Sequence, residues 1–272
     1  MKKEKVRIVS MVLVLFALAL FTGVANAQGG GTTVATGFNN PQGVLVDGDG
    51  NIWVIDSGVG GEDEISFPNT AAGGGLETAK VGETTSVVQI GLDGTQTVVA
   101  TLPSVLLGME AIGGARLAQL NGTLYATNGQ WAGDPNSSPP LPNTPGVVKI
   151  EGGQVIETDN TWPIESSQNP DGLAIESHPY GLTAGPDGNL WMADAGGNDL
   201  LRIDPVSGAV ELVTAFDGLP GPLPNPGRND ALETDPVPTA VAFDQAGNIY
   251  VSLLSGFPFV PGSAKVVQVS AD

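Results

Sequence analysis

The chain of 272 residues contains no cysteine and one histidine. The first absence excludes disulfides, thiolate metal sites and cysteine nucleophiles, and the second excludes a multi-histidine zinc centre. Basic residues are scarce: 10 Lys and Arg stand against 29 Asp and Glu, a formal charge of −19. That balance repels nucleic acid and anionic membrane surfaces and favours cations. One long apolar run exists, IVSMVLVLFALALF from Ile8, and at 14 residues it is shorter than a bilayer span requires. Preceded by MKKEKVR and followed by Ala25-Asn26-Ala27, it has the three parts of a secretory signal, with cleavage expected after Ala27. The expectation is an exported protein, periplasmic or extracellular, without membrane insertion once the signal is removed. Cleavage takes four basic residues and one acidic one, leaving a formal charge of −22 on residues 28–272. The carboxylates are scattered through turns, which reads as a solvated acidic surface.

What the sequence has in plenty is glycine and proline, 39 and 21 residues, too many for a helical protein and suited to short strands joined by turns. A segment also recurs every 60 to 70 residues or so: NPQGVLVDGDGNIWVIDSG from Asn40, PYGLTAGPDGNLWMADAGG from Pro179 and VPTAVAFDQAGNIYVSLLSG from Val237. Aligned on their aromatic residue, the copies put Trp53, Tyr125, Trp191 and Tyr250 in one column, and Asp56, Asn128, Asp194 and Leu253 in another three places on. The second copy is degenerate but keeps the spacing.

Each unit resolves into four short strands. Val44–Asp47 or Leu182–Gly185 is a first strand because DGDGN or PDGN follows it, turns whose Asp, Gly and Asn supply positive-φ positions. NIWVID and NLWMAD are second strands by β-branched and aromatic content. SVVQI, GVVKI, DLLRI and KVVQV are third strands; TQTVVAT, QVIET and AVELVTA are fourth strands. Four antiparallel strands cannot bury both faces alone, so the units must stack face to face about an axis as blades of an all-β propeller. Thr32–Phe38 (TTVATGF) matches TVVATLP, a fourth strand, and would complete the last blade if four blades close. Segments 57–84, 129–145, 159–177 and 217–236 interrupt the repeat, and the Gly- and Pro-rich ones read as flexible cover.

The pattern P-x-G-h-(x)-D-G-N-h-(W/Y)-h-x-D resembles the NHL-type propeller repeat. FNNPQGVLVDGDGNIWVIDSG, NPDG at Asn169–Gly172, SHPYGLTAGPDGNLWMADAGGNDLLRID, PVPTAVAF and LLSGFPFVPGSAKVVQV are closer still to the exported ScyD/ScyE family of bacterial proteins. The resemblance runs from about Thr32 to Val269 and implies a propeller fold. Members of that family carry about six repeats, and this sequence shows four. The family's biochemical role is loosely defined, so the resemblance implies fold more than function.

The starts of the innermost strands, Gln42, Gly114, Tyr180 and Thr239, face the propeller axis in this register. Gluconolactonase-like propellers hold a divalent ion there on Glu, Asn and Asp side chains, and these four offer no such set. His178 precedes Pro179 and Tyr180 at the start of the third unit, and NPDG lies within twelve residues of it. Asn169, Asp171, His178 and Tyr180 are therefore the candidate ligand-binding residues, with no catalytic residue assigned. A lone His serves as a general base or single ligand, although its commoner role is to cap a strand. Asp56, Asn128 and Asp194 read either as a ring of calcium-binding oxygens or, more simply, as side chains that accept hydrogen bonds from the Gly-rich turn following each. DGDGN resembles a calcium loop, but Gly58 stands where the bidentate Glu belongs. Glu110, Asp171, Glu176, Asp199 and Glu233 are carboxylates whose pairing the sequence leaves open. No G-x-S-x-G elbow, P-loop, H-E-x-x-H or dinucleotide fingerprint occurs. Two functions stay in view: an exported scaffold binding a partner protein or small ligand, and a metal-dependent hydrolase or lyase of the gluconolactonase type. The cofactor is left open; a divalent cation such as calcium is the candidate, and its tight binding would favour the second function over the first.

Overall fold

The computed structural model describes residues 31–69 and 75–270. The expected secretory signal, residues 1–27, lies outside the described residues. The first sheet contains β1 (Pro41–Val46), β2 (Ile52–Asp56), β3 (Asp63–Pro68), β4 (Leu76–Ile90), β5 (Gln96–Leu107) and β6 (Glu110–Ile112). Its spatial order is β1-β2-β4-β5-β6, with β3 paired to β4. The second has β7 (Gly114–Leu120) and β8 (Thr123–Asn128), then a departure through β9 (Trp131–Ala132), then β10 (Gly146–Glu151) and β11 (Gln154–Asn160). A short helix, α1 (Trp162–Gln168), and β12 (Glu176–Ser177), which pairs with β9, lead into the third sheet. That sheet is β13 (Pro179–Ala184), β14 (Leu190–Asp194), β15 (Asp199–Ile203) and β16 (Val210–Ala215). A hairpin of β17 (Leu219–Asn225) and β18 (Ala231–Thr234) precedes the fourth sheet, β19 (Pro238–Phe243), β20 (Ile249–Leu253) and β21 (Lys265–Val269). Every pairing is antiparallel and each sheet core is a meander. These are propeller blades, and the four expected units are the four sheets.

The repeated turn has a physical cause. In blade 1 Asp47 Oδ1 accepts from the Asp49 and Asn51 amides, and Oδ2 accepts from Asn51 Nδ2 and, at 2.8 Å, from Trp53 Nε1. Asp244 does the same in blade 4 with Ala246, Asn248 and the Tyr250 hydroxyl. In blade 3 the aspartate sits two places later: Asp187 binds Asn189 and, at 3.1 Å, Trp191 Nε1. One carboxylate thus closes the hairpin and fixes the aromatic of the next strand, while Gly50, Gly188 and Gly247 take the left-handed φ the turn requires. These hydrogen bonds hold the carboxyls of Asp47, Asp187 and Asp244 below the ordinary aspartate range.

The aromatic column marks the forward face of blades 1 to 3. Trp53 packs with Ile55 and Val87 of blade 1 against Leu117, Leu124 and Val148 of blade 2. Tyr125 of blade 2 packs against Leu182, Leu190, Met192 and Leu201 of blade 3. Trp191 and Leu200 of blade 3 pack against Val241, Ile249 and Val251 of blade 4, with Trp191 edge-on to Phe243 at 5.4 Å. Most of these side chains are buried, and burial of this kind contributes about 25 cal/mol per Å² of apolar surface.

Two expectations are corrected. Residues 31–38 contain no strand, and the fourth sheet has three strands among the described residues. An outermost strand buries little, as the half-buried pattern of β16 shows, so docking of a terminal segment there is weakly driven. The interrupting segments, read as flexible cover, carry regular structure: β3 extends blade 1 along β4, β17 and β18 form a hairpin, and β9 meets β12. Phe67, Trp131 and Trp162 from three of the segments share one apolar cluster, which gives them a core of their own. No helix among the described residues is long and apolar enough to cross a membrane.

Candidate functional site

The innermost strands β1, β7 and β13 meet through polar side chains. The Tyr180 hydroxyl donates to Gln42 Oε1 at 3.2 Å, linking blades 3 and 1. Arg116 from β7 donates to the Gln42 carbonyl at 2.6 Å and lays its guanidinium over the Tyr180 ring, 4.7 Å from its centre. The His178 ring stands edge-on to Tyr180 at 5.7 Å. Gln42 and Tyr180 thus come together, and Arg116 joins them.

His178 borders two adjoining clefts. The smaller, about 260 Å³, is lined by Asn40, Gln42, Glu110 and Tyr180 among others. The larger, about 530 Å³, has Glu110, Glu176, His178, Asn198, Asp235, Phe257 and Phe259 in its walls. Phe257 and Phe259 are 75% and 62% exposed and meet edge-on at 6.3 Å. His178 lines both clefts, and desolvation by surrounding protein pushes its pKa down to about 4, so it is neutral at pH 7. A neutral imidazole both donates and accepts.

Behind this wall lies the corner of blade 3. Asp194 is buried and takes four donors: Ser177 Oγ and the His178 amide at 2.6 Å, and the Gly196 and Gly197 amides at 3.1 and 3.0 Å. In blade 1 Asp56 accepts from the amides of Asn39, Asn40 and Gly58. Both oxygens of each carboxylate are occupied by donors, so Asp56 and Asp194 fasten the turns that flank them, as the simpler reading expects. Asn128 donates Nδ2 to the Asn143 carbonyl, and its Oδ1 is buried without a partner.

Of the remaining candidates, Asp171 does not reach His178. Its Oδ1 accepts from the Leu173 amide and its Oδ2 from Asn198 Nδ2, and Asn198 in turn accepts from the Val237 amide of blade 4. Asn169 ends α1 in the left-handed conformation and donates Nδ2 to the Leu173 carbonyl, leaving a buried, unpartnered Oδ1. The four candidates therefore divide: His178 and Tyr180 border the clefts, while Asn169 and Asp171 build the loop behind them.

The sequence reading missed Glu165. It projects from α1, is 1% exposed, and neither of its oxygens has a hydrogen-bond partner; Asp199, at the first position of β15, is in the same condition. Burial and the neighbouring carboxyls of Asp194 and Asp171 push Glu165 up to about 8. The Glu176 amide opposes that rise by acting on the Glu165 carboxyl. Asp199 is raised well above the aspartate range, by burial first and then by Asp194, Glu165 and Asp171. Asp171 and Asp194 are raised too, chiefly by burial. A signal for α1 was present in TWPIE, since Thr followed by Pro in the first turn starts a helix. Nothing in the spacing brings that helix to β15. Glu110 and Glu176 border the larger cleft, whereas Glu233 stands away from it, on β18. Among the described residues no three His, Cys, Asp or Glu side chains are arranged to hold a metal ion.

No protein-family model matches the chain, and no curated protein does. Solved structures similar to it include virginiamycin B lyase from Staphylococcus aureus, at 17% identity and a TM-score of 0.42, covering 84% of this chain and 55% of that one. A gluconolactonase from Xanthomonas campestris is similar at 16% identity and a TM-score of 0.44, covering 88% and 59%. A streptogramin B lyase is similar at 16% identity and a TM-score of 0.37, covering 77% and 75%. The chain thus spans little more than half the length of the first two. At these identities no residue role transfers from one protein to another.

Proposed function

We propose that this chain is an exported β-propeller that binds a small polar ligand, neutral or positively charged, in the cleft beside His178. The observation that carries this reading is the lining of the 530 Å³ cleft, where Glu110, Glu176 and Asp235 meet the exposed Phe257–Phe259 pair. Carboxylates and amides supply acceptors and directional contacts, and the aromatic faces take a sugar face or an organic cation. The charge of −19 disfavours an anion. The ScyD/ScyE resemblance supports the reading from another side, because GFPF, one of the segments that carry it, contributes Gly256, Phe257 and Phe259 to this cleft. The alternative, a metal-dependent hydrolase or lyase of the gluconolactonase type, needs a cation on the axis. The residues do not fit one there, since the Arg116 guanidinium lies between Gln42 and Tyr180.

The test is calorimetric titration of residues 28–272 with spermidine, glucose and gluconate. Spermidine or glucose should bind in the micromolar to millimolar range, and Phe257→Ala should weaken that binding about tenfold. Preference for gluconate, indifference to Phe257→Ala, or no binding by any of the three would overturn the reading.

A further inference from the structure

Glu165 and Asp199 bring four carboxyl oxygens into the interior of the blade 3 corner, and apart from the Glu176 amide that acts on Glu165 no donor meets them. They come from separate elements, α1 and β15, and converge on one point. A Cβ built on Gly197 would lie 2.7 Å from Glu165 Oε1 and 3.4 Å from Asp199 Oδ2, so the absent side chain leaves a cradle between the two carboxyls. Arg228, which acts on the neighbouring Asp171, is itself paired with Asp235 at 3.2 Å. Protonation of one carboxyl would let it donate to the other, yet leave the remaining oxygens short of donors, at a cost of about 1–3 kcal/mol for each unmet polar group. A hard divalent cation satisfies carboxylate oxygens directly, at ~2.3–2.6 Å for calcium.

The position is private to blade 3. Sheet register places Ser86, Gly146 and Lys265 where Asp199 stands, so the carboxyl is not part of the repeated scaffold. One helical turn beyond Glu165, Asn169 Oδ1 is a further buried oxygen without a partner. The unmet groups of Glu165, Asp199 and Asn169 are hard oxygen acceptors, the donor set of calcium rather than of zinc or copper, and Arg228 Nη2 beside Asp171 is a buried donor without a partner.

We propose that a calcium ion binds between Glu165 and Asp199, tying the α1 insertion to the corner of blade 3. Two acidic ligands suffice, because extracellular calcium modules with few charges bind at about 10⁻⁴–10⁻³ M and fill the remaining positions with amide oxygens and water. The site is separate from the cleft beside His178 and stands or falls without it.

The experiment is calorimetric titration of EDTA-stripped residues 28–272 with CaCl2, paired with thermal melts in 10 mM CaCl2 or EDTA. Saturable binding of one ion should appear, with a melting temperature several degrees higher in calcium. Glu165→Gln and Asp199→Asn should each weaken binding at least tenfold, and Asp56→Asn in blade 1 should leave it unchanged. Gly197→Ala keeps both carboxyls and fills the cradle, so it should weaken calcium binding even if either carboxyl variant fails to fold. No heat and no melting shift in the wild type would overturn the proposal, as would undiminished binding in Glu165→Gln, Asp199→Asn and Gly197→Ala.

Discussion

The corners of blades 1 and 3 solve the same problem with opposite chemistry. Around Asp56 the corner is built from hydroxyls: Ser57 Oγ donates to the Gly114 carbonyl, Thr85 Oγ1 to the Ser57 and Pro103 carbonyls, and Ser104 Oγ to Ser57, all of them buried and partnered. Around Asp194 the corner collects Glu165, Asp171 and Asp199, and two of those carboxyls have no partner. A neutral network of short hydroxyls costs little to bury, whereas each unpaired carboxyl costs several kcal/mol as an ion and moves its pKa instead. Blade 1 is therefore a stable scaffold corner. Blade 3 carries a local cost that the scaffold does not need, the pattern expected where a fold has been bent to another use.

The largest effect that separates the two corners is loss of the fastening aspartate. Asp194→Ala strands three backbone amides and leaves the Ser177 hydroxyl with Thr161 Oγ1 alone, and should cost about 3–5 kcal/mol in urea unfolding. Asp56→Ala strands three amides, of which those of Asn39 and Asn40 belong to partly or fully exposed residues that water can reach, and should cost about 1–3 kcal/mol. Equal losses would mean that the extra carboxyls of blade 3 do not alter what Asp194 holds.

A second measurement sharpens the electrostatic half of the comparison. Burial and the neighbouring carboxyls push Glu165 up to about 8 in the folded chain against an ordinary 4.5, so between those values the folded chain keeps a proton that the unfolded chain has released. Stability contributed by the neutral form is full below about pH 4.5, declines as the pH rises toward 8, and is level beyond it; the slope reaches up to ~1.4 kcal/mol per pH unit. Urea unfolding in EDTA from pH 5 to 8 should show this decline in the wild type, and Glu165→Gln should reduce it. A blade 1 variant, Ser104→Ala, removes no titrating group and should leave the slope alone. An unchanged slope in Glu165→Gln would assign the pH dependence to other groups.

The contrast also explains how far the sequence could be read. Scaffold positions repeat, so the blades, their strands and the fastening role of Asp56 and Asp194 were legible from spacing alone. The turn aspartate was legible as a turn but not as one device, because Asp47 and Asp244 occupy one position and Asp187 another two residues later, with the same backbone hairpin in all three. What does not repeat was harder. Glu165 lies in an insertion with no counterpart in other blades, and its meeting with Asp199 depends on where α1 docks, which tertiary packing decides. Arg116 was likewise invisible: nothing in RLAQ signals that its guanidinium covers a tyrosine on the innermost strand of the next blade.

The smallest expected effect tests whether that turn device or the packing between blades gives the aromatic column its weight. Trp191→Phe removes the Nε1 donor to Asp187 and thins a nearly buried ring packed on Phe243, while Trp53→Phe removes the donor to Asp47 from a ring that is only partly buried. If packing between blades dominates, Trp191→Phe should lower the melting temperature by about 2–4 °C, roughly what 1 kcal/mol costs a domain of this size, and Trp53→Phe by less. If the carboxylate hydrogen bond dominates, the order should reverse, because Trp53 makes the shorter bond, 2.8 Å against 3.1 Å, to a carboxylate that also holds two amides of its turn. The first order is expected, since a hydrogen bond open to water returns most of its energy to solvent while the apolar contact of Trp191 with the next blade has no substitute in the unfolded chain.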